Sequence, residues 1–335
     1  MNPPQWHILG AGAMGALWHE HFARNRLPCT LLNHGSTTQK LTLREHGRTS
    51  TISAVPLAKM RKGSIERLLL TTKAGQIASA MLSVGPYLSA QPVVISTANG
   101  LGFPAECSLE EQMPEEQMLK ELMPGKHTST NYGRDSFQHG TEPCVIVRGV
   151  TTAGAHRSIT VDGKKLIDLV SFGETRIGFS ARSTSTHAPP SWFSDSLQKL
   201  GTWHWESPID DALHHKFAIN CVINPLSADL GLRNGELLQP GARYTQLAAL
   251  CEETEDALRQ LAMWPDHANL LAIVTQVCTS TANNRSSMLQ DVMAQRPTEL
   301  EFLNAELLRK AADIGLSLPL NSQLVTRLSG RNRVE

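Results

Sequence analysis

Trp6-His7-Ile8-Leu9 runs straight into Gly10-Ala11-Gly12-Ala13-Met14-Gly15, a short apolar run followed by glycines at Gly-x-Gly-x-x-Gly spacing. Apolar residues then recur at Met14, Leu17, Trp18 and Phe22, the spacing of one helix face. Cys29 to Leu32 is the next short apolar run. Strand, glycine turn, helix and strand in that order make one βαβ unit. The fingerprint alone is common, but a strand before it and a helix after it make it a dinucleotide-binding turn. Gly10 permits the tight turn, Gly12 lets a pyrophosphate approach the backbone, and Gly15 lets helix and strand pack closely. The helix N-terminus adds unpaired N–H groups and a positive dipole end.

Outward from this unit, strand patterns fall at Arg67 to Thr71, Pro92 to Ser96 and Cys144 to Val150, with a helical pattern at Gly75 to Leu82. Such alternation argues for a doubly wound parallel sheet covered on both faces, a Rossmann-type α/β domain. From about Ser191 the texture changes. Helical patterns dominate at Pro208 to Leu230, Gly241 to Met263, His267 to Cys278 and Pro297 to Ile314. Pro297 suits a first helical turn and Gly315 a C-terminal cap. The expectation is a dinucleotide-binding domain over 1–185 and an all-α domain over 186–335, divided in the Ser-, Thr- and Pro-rich stretch 180–191. Residues 108–142, with Glu-Glu-Gln-Met at 110–113 and again at 115–118, read as an insertion, either a solvated loop or a lid.

Composition narrows the function. The 335 residues are 41% hydrophobic, enough for a sizeable core, and Lys plus Arg equals Asp plus Glu at 31 each. A zero net charge argues against a nucleic-acid partner. No apolar run approaches the roughly 20 residues that span a bilayer. None of the six cysteines sits at Cys-x-x-Cys spacing, so reduced thiols and no metal site are expected. With no basic stretch ahead of the strand at Trp6, a secretory leader is not expected and a cytoplasmic location is. Oligomeric state is left open, with a homodimer among the options.

Dinucleotide units that take NAD usually carry Asp or Glu at the end of the second strand, to hold the ribose 2′-hydroxyl. Here Asn33 and His34 stand there, and no carboxylate follows them until Glu45. NADP is therefore favoured, with His34 beside its 2′-phosphate. Lys73 and Asn99-Gly100 follow strand patterns and fall where such sheets meet ligands. A surface lysine and a plain turn are their alternative readings.

Lys216, Asn220 and Asn224 recur at i, i+4 and i+8 inside His214-His215-Lys216-Phe217-Ala218-Ile219-Asn220-Cys221-Val222-Ile223-Asn224-Pro225-Leu226. On a helix they share one face. Asn is mildly unfavourable inside helices, so two in line point to a polar cleft, with a solvated stripe as the alternative. Later come Ser286-Ser287-Met288-Leu289-Gln290-Asp291 and Arg296-Pro297-Thr298-Glu299. The serines also suit helix caps, and Glu299 also suits the first turn of the last long helix.

These blocks together resemble the ketopantoate reductases (2-dehydropantoate 2-reductases). The likeness rests on Gly10 to Gly15, Lys73-Ala74, Asn99-Gly100-Leu101-Gly102, Gly149-Val150-Thr151-Thr152, Lys216 to Leu226, Asn234-Gly235-Glu236, Ser286 to Asp291 and Thr298-Glu299. It runs from about Trp6 to about Leu318. It implies NADPH as cofactor and reduction of 2-dehydropantoate to (R)-pantoate on the route to pantothenate. It implies Lys216 as catalytic acid supported by Glu299, and substrate contacts from Asn99, Asn220, Asn224, Asn234 and Ser287. It implies cofactor contacts from Gly10, Ala11, Gly12, Ala13, Met14, Gly15, His34, Lys73 and Asn99. His34 stands where some members carry Arg. The alternatives are a reductase of another branched 2-keto acid and a non-catalytic dinucleotide-binding regulator.

Overall fold

The computed structural model describes residues 5–101, 145–160, 162–181 and 188–331. The 108–142 segment and half of the Ser-, Thr- and Pro-rich stretch (182–187) lie outside the described residues. Two compact units divide the chain: Met1–Ala98 with Phe103–Asp210, and Asn99–Gly102 with Asp211–Glu335.

The first unit is built on β1 (Trp6–Leu9), β2 (Cys29–Asn33), β3 (Gln39–Glu45), β4 (Arg48–Pro56), β5 (Ile65–Leu70), β6 (Leu88–Ser96), β7 (Val145–Thr151), β8 (Gly154–Ile159), β9 (Lys165–Ser171), β10 (Thr175–Gly178) and β11 (Trp203–Trp205). They form one sheet in the order β11-β10-β7-β6-β5-β1-β2-β4-β3-β9-β8. Its centre, β2-β1-β5-β6-β7, is parallel throughout, with Ile8 level with Leu31 on one side and Leu69 on the other. All four residues of β1 are buried, as a strand covered on both faces requires. Helix α1 (Ala13–Arg24) lays Leu17, Trp18 and Phe22 into a core with Trp6 and Trp203. The Trp18 and Trp203 rings meet edge-on at 4.9 Å. Helix α2 (Ile77–Val84) covers the other face with Ile77, Ala80, Met81 and Val84 against Leu9, Leu68 and Val94.

The sheet as a whole is mixed, which corrects the all-parallel expectation. After β2 the chain makes a hairpin instead of a crossover helix. Glu45 pairs with Arg48, and both residues between them have positive φ, +47° at His46 and +78° at Gly47. That is the turn geometry that matches strand twist. The Thr- and Ser-rich β4 carries too few apolar residues to read as a strand. The first unit also reaches past residue 186. Phe193, on the one-turn helix α3 (Ser191–Ser194), joins Leu197, Leu200 and Trp203 in the same core as Trp6.

The second unit holds α4 (Asp210–Leu230), α5 (Ala242–Gln260), α6 (Leu270–Ser280), α7 (Ser287–Met293), α8 (Asn304–Asp313) and α9 (Pro319–Arg331). One apolar cluster from Phe217, Val222, Leu250, Leu258, Val274 and Leu307 fills it. Gly315 ends α8 at φ +74°, the left-handed cap its position suggests. The expected helix over 297–314 is broken. A short 3-10 turn (Leu300–Phe302) precedes α8, and the chain bends at Leu303 with ψ −97°. No helix among the described residues is long and apolar enough to cross a membrane.

Chemistry inside α4 accounts for the bend. Pro225 lies in the helix and has no N–H, so the Cys221 carbonyl loses its usual i+4 donor. Asn304, fully buried, supplies it: Nδ2 donates to the Cys221 carbonyl at 2.8 Å and to Asn321 Oδ1 at 2.7 Å. Asn321 in turn donates to Glu253, whose carboxylate also accepts the Leu320 and Asn321 N–H groups at the start of α9. Asn304→Ala strands these acceptors without water and should destabilise the protein by about 2 kcal/mol, read from the urea midpoint. An unchanged midpoint would contradict this account of the bend.

Candidate functional site

The glycine turn sits at the carboxyl end of β1. Gly10 has φ +122°, and its N–H donates to the Leu32 carbonyl at 3.1 Å. Thr71 Oγ1 donates to the carbonyls of Leu9 and Gly10 at 3.1 and 3.0 Å, clasping the turn to β5. A Cβ on Gly10 would lie 2.8 Å from that hydroxyl, and one on Gly15 would lie 1.9 Å from the Gly10 carbonyl oxygen. Neither position admits a side chain. Gly12 differs, since among the described residues a Cβ there would meet only Arg157 Nη2, at 3.7 Å. Gly12 is also the N-cap of α1, with no side-chain cap and no acid in the first turn. Ala11, Ala13 and Met14 are partly buried beside it. This is a cradle with free backbone donors, and it fits a pyrophosphate.

Asn33 is consumed by the fold. Its Nδ2 donates to the carbonyls of Ala54 at 2.8 Å and Thr37 at 3.3 Å, and its Oδ1 accepts the Gly35 N–H at 2.8 Å. His34 is exposed just past β2, its Nδ1 3.3 Å from Ser83 Oγ. Lys73 is partly buried after β5, where it precedes a 3-10 turn (Ala74–Gln76).

In the second unit, α4 carries Lys216, Asn220 and Asn224 along one face, with Asn224 buried. Asn99 Nδ2 donates to Glu299 Oε2 at 2.8 Å. Gly100 has φ +89°, and a Cβ there would lie 2.4 Å from the Phe302 carbonyl oxygen. Asn99-Gly100 is therefore a seat against the 3-10 turn and more than a plain turn. Glu299 is the N-cap of that 3-10 turn, not part of the first turn of a long helix, because the helix begins only at Asn304. The Glu299 charge acts on Lys216. Burial lowers the lysine to about 8 from the ordinary 10.5, and Glu299 pulls the other way. Lys216, Glu299 and Asn99 are thus brought together.

Asn234 and Ser286 have other local partners. Asn234 is buried, donates to Thr281 Oγ1 at 2.9 Å, and keeps a buried Oδ1 that has no partner among the described residues. Ser286 is the cap of α7, accepting the Leu289 N–H at 3.1 Å and meeting Ser227 Oγ at 2.6 Å. Ser287 is exposed next to it. Thr71, Arg157 and Asn304 were not legible in sequence. Their partners lie 61, 146 and 83 residues away, and no local pattern links such positions.

Residues 6–178 match the family described as "Ketopantoate reductase PanE/ApbA", and residues 208–332 match "Ketopantoate reductase PanE/ApbA C terminal". The 2-dehydropantoate 2-reductase of Yersinia pestis is 30% identical over 95% of this chain and 91% of its own length. The enzyme of that name from Vibrio cholerae is 28% identical, over 96% and 95%. Among solved structures, D-mandelate dehydrogenase with NADH and anilino(oxo)acetate superposes with TM-score 0.75 at 18% identity, covering 98% of both chains. Dimeric ketopantoate reductase from Staphylococcus aureus superposes with TM-score 0.73 at 14% identity, covering 98% of this chain and 99% of its own. At such identities the likeness is one of fold.

The Lys216 shift is directly measurable. Lysine methylene NMR should reveal one ammonium titrating near pH 8, a signal missing from Lys216→Met. Removing the favourable charge in Glu299→Gln should move that midpoint lower. A midpoint that stays put would rule out the electrostatic link.

Proposed function

Since this chain belongs to the ketopantoate reductase family and is an oxidoreductase, we propose that it reduces 2-dehydropantoate to (R)-pantoate with NADPH, on the route to pantothenate. The observation that carries this reading is the grouping of Lys216, Glu299 and Asn99, in which a carboxylate opposes the fall in a buried lysine's pKa. Bound NADPH supplies the hydride. The turn from Gly10 through Ala11, Gly12, Ala13 and Met14 to Gly15 would hold its pyrophosphate, His34 its 2′-phosphate, and Lys73 its nicotinamide end.

The Lys216 ammonium donates a hydrogen bond to the keto oxygen of the substrate. As negative charge develops there, the same nitrogen stabilises it and then gives up a proton. Glu299 keeps the ammonium charged and aims it, and the Asn99 amide holds Glu299. Asn220, Asn224, Asn234 and Ser287 bind the substrate carboxylate and hydroxyl. A lysine near pKa 8 is a better proton donor at neutral pH than one at 10.5, and it is still mostly charged.

The sign of the pH dependence follows. The active form is the protonated lysine, so kcat/KM for reduction should fall as pH rises through about 8. Glu299→Gln should shift that descending limb to lower pH. Lys216→Ala should lower kcat by about 10²- to 10⁴-fold, with NADPH affinity by titration nearly unchanged. Near-native turnover in that variant would remove Lys216 from the mechanism. Following NADPH oxidation over a panel of branched 2-keto acids tests the substrate, with 2-dehydropantoate expected to give the highest kcat/KM.

A further inference from the structure

We propose that Arg157 binds the diphosphate bridge of the nicotinamide dinucleotide, as a side-chain clamp over the glycine turn. The inference rests on the dinucleotide-dependent reading above and adds a residue to it.

Arg157 lies on β8, at one edge of the sheet. Side chains alternate along a strand, so Ala155 and Arg157 share a face. Ala155 packs into the core that α1 also fills, and α1 packs on β8. Arg157 therefore extends toward the start of α1. There Nη2 donates to the Ala11 carbonyl at 3.4 Å and stands 3.7 Å from where a Gly12 Cβ would be. Among the described residues, and apart from Gly12's own chain neighbours and helix backbone, it is the one group within 4 Å of a Cβ built on Gly12, the motif glycine whose open face admits a pyrophosphate.

Electrostatics make this position informative. The N-terminus of α1 is the positive end of a helix dipole, and its first turn carries no acid. A guanidinium held against it is repelled. A single 3.4 Å hydrogen bond to a carbonyl compensates poorly, being long for an N–H···O contact. The nearby acid is engaged on the opposite face of the same hairpin. Asp168 accepts from Arg44 Nε at 2.5 Å and lies 3.4 Å from His156 Nε2. Among the described residues Arg157 pairs with no carboxylate. An exposed arginine, a dipole end and open backbone donors converge on one space. A doubly charged diphosphate resolves the repulsion, because a guanidinium fork offers two parallel N–H donors to phosphate oxygens.

The test is calorimetric titration of wild type, Arg157→Ala and Arg157→Lys with NADPH and with NADH, alongside the melting temperature of each protein without nucleotide. The diphosphate is common to both nucleotides. Arg157→Ala should therefore weaken both by the same factor, about 10- to 100-fold. Arg157→Lys should recover part of the loss. The nucleotide-free melting temperature of Arg157→Ala should hold or rise, since a repelled charge is gone. Unchanged affinities would overturn the proposal. So would a loss confined to NADPH, which would assign the guanidinium to the 2′-phosphate. So would a loss of affinity accompanied by a fall in the nucleotide-free melting temperature, which would make Arg157 only a brace for the Ala11 turn. Failure of wild type to bind either nucleotide would sink the cofactor reading itself, a result distinct from these three.

Discussion

The Asn304 amide is the contact on which the second unit depends. Pro225 takes a donor out of the middle of α4, and a buried carbonyl without a partner is costly. Asn304 restores that donor from another segment, and the chain must bend at Leu303 to bring it there. The same bend sets the 3-10 turn of residues 300–302 in front of α8, with Glu299 as its cap. One hydrogen bond thus fixes two things at once: the helix that bears Lys216, Asn220 and Asn224, and the turn that bears the opposing carboxylate. Through Asn321 and Glu253 the network also reaches α5 and α9. Asn304 and Asn321 are fully buried, where hydrogen bonds are strong, and the half-buried Glu253 anchors them toward the surface.

The first unit is organised by a different constraint, close approach of backbone to backbone. The turn can hug β5 only because two of its glycines have no side chain, and Thr71 clasps it there. Its third glycine leaves a concavity. That division of labour among three chemically identical residues shows only in their surroundings. One is excluded by a hydroxyl, one by a carbonyl, and one faces a guanidinium.

What the sequence disclosed followed from locality. The βαβ unit and the α4 stripe are each written within a few dozen contiguous residues, and the strands of the parallel centre each announce themselves as a short apolar run. The β3/β4 hairpin escaped because β4 opens with Arg-Thr-Ser-Thr, which alternates weakly and is exposed over its first four residues. Residues 191–203 read as part of the second domain because their aromatics give no hint that they bury against Trp6. Glu299 stands out in the sequence, yet its setting differs from the one expected. Pro297 suggests a helix start, and only the need of a distant carbonyl moves that start to Asn304. Asn99-Gly100 had two readings, and the close approach of Gly100 to the Phe302 carbonyl belongs to neither of them.

Asn33 carries a consequence for attempts to redesign nucleotide preference. Replacing it with an acid, the obvious route to a ribose-gripping site, would turn a donor into an acceptor. The new carboxylate would then face the Ala54 and Thr37 carbonyls that now receive its N–H bonds. The switch from one nicotinamide coenzyme to the other is thereby tied to how the first hairpin leaves the central sheet. Re-engineering through Asn33 would have to rebuild residues 33–37 and their seat on β4 together, because an acid at that position leaves the two carbonyls unsatisfied.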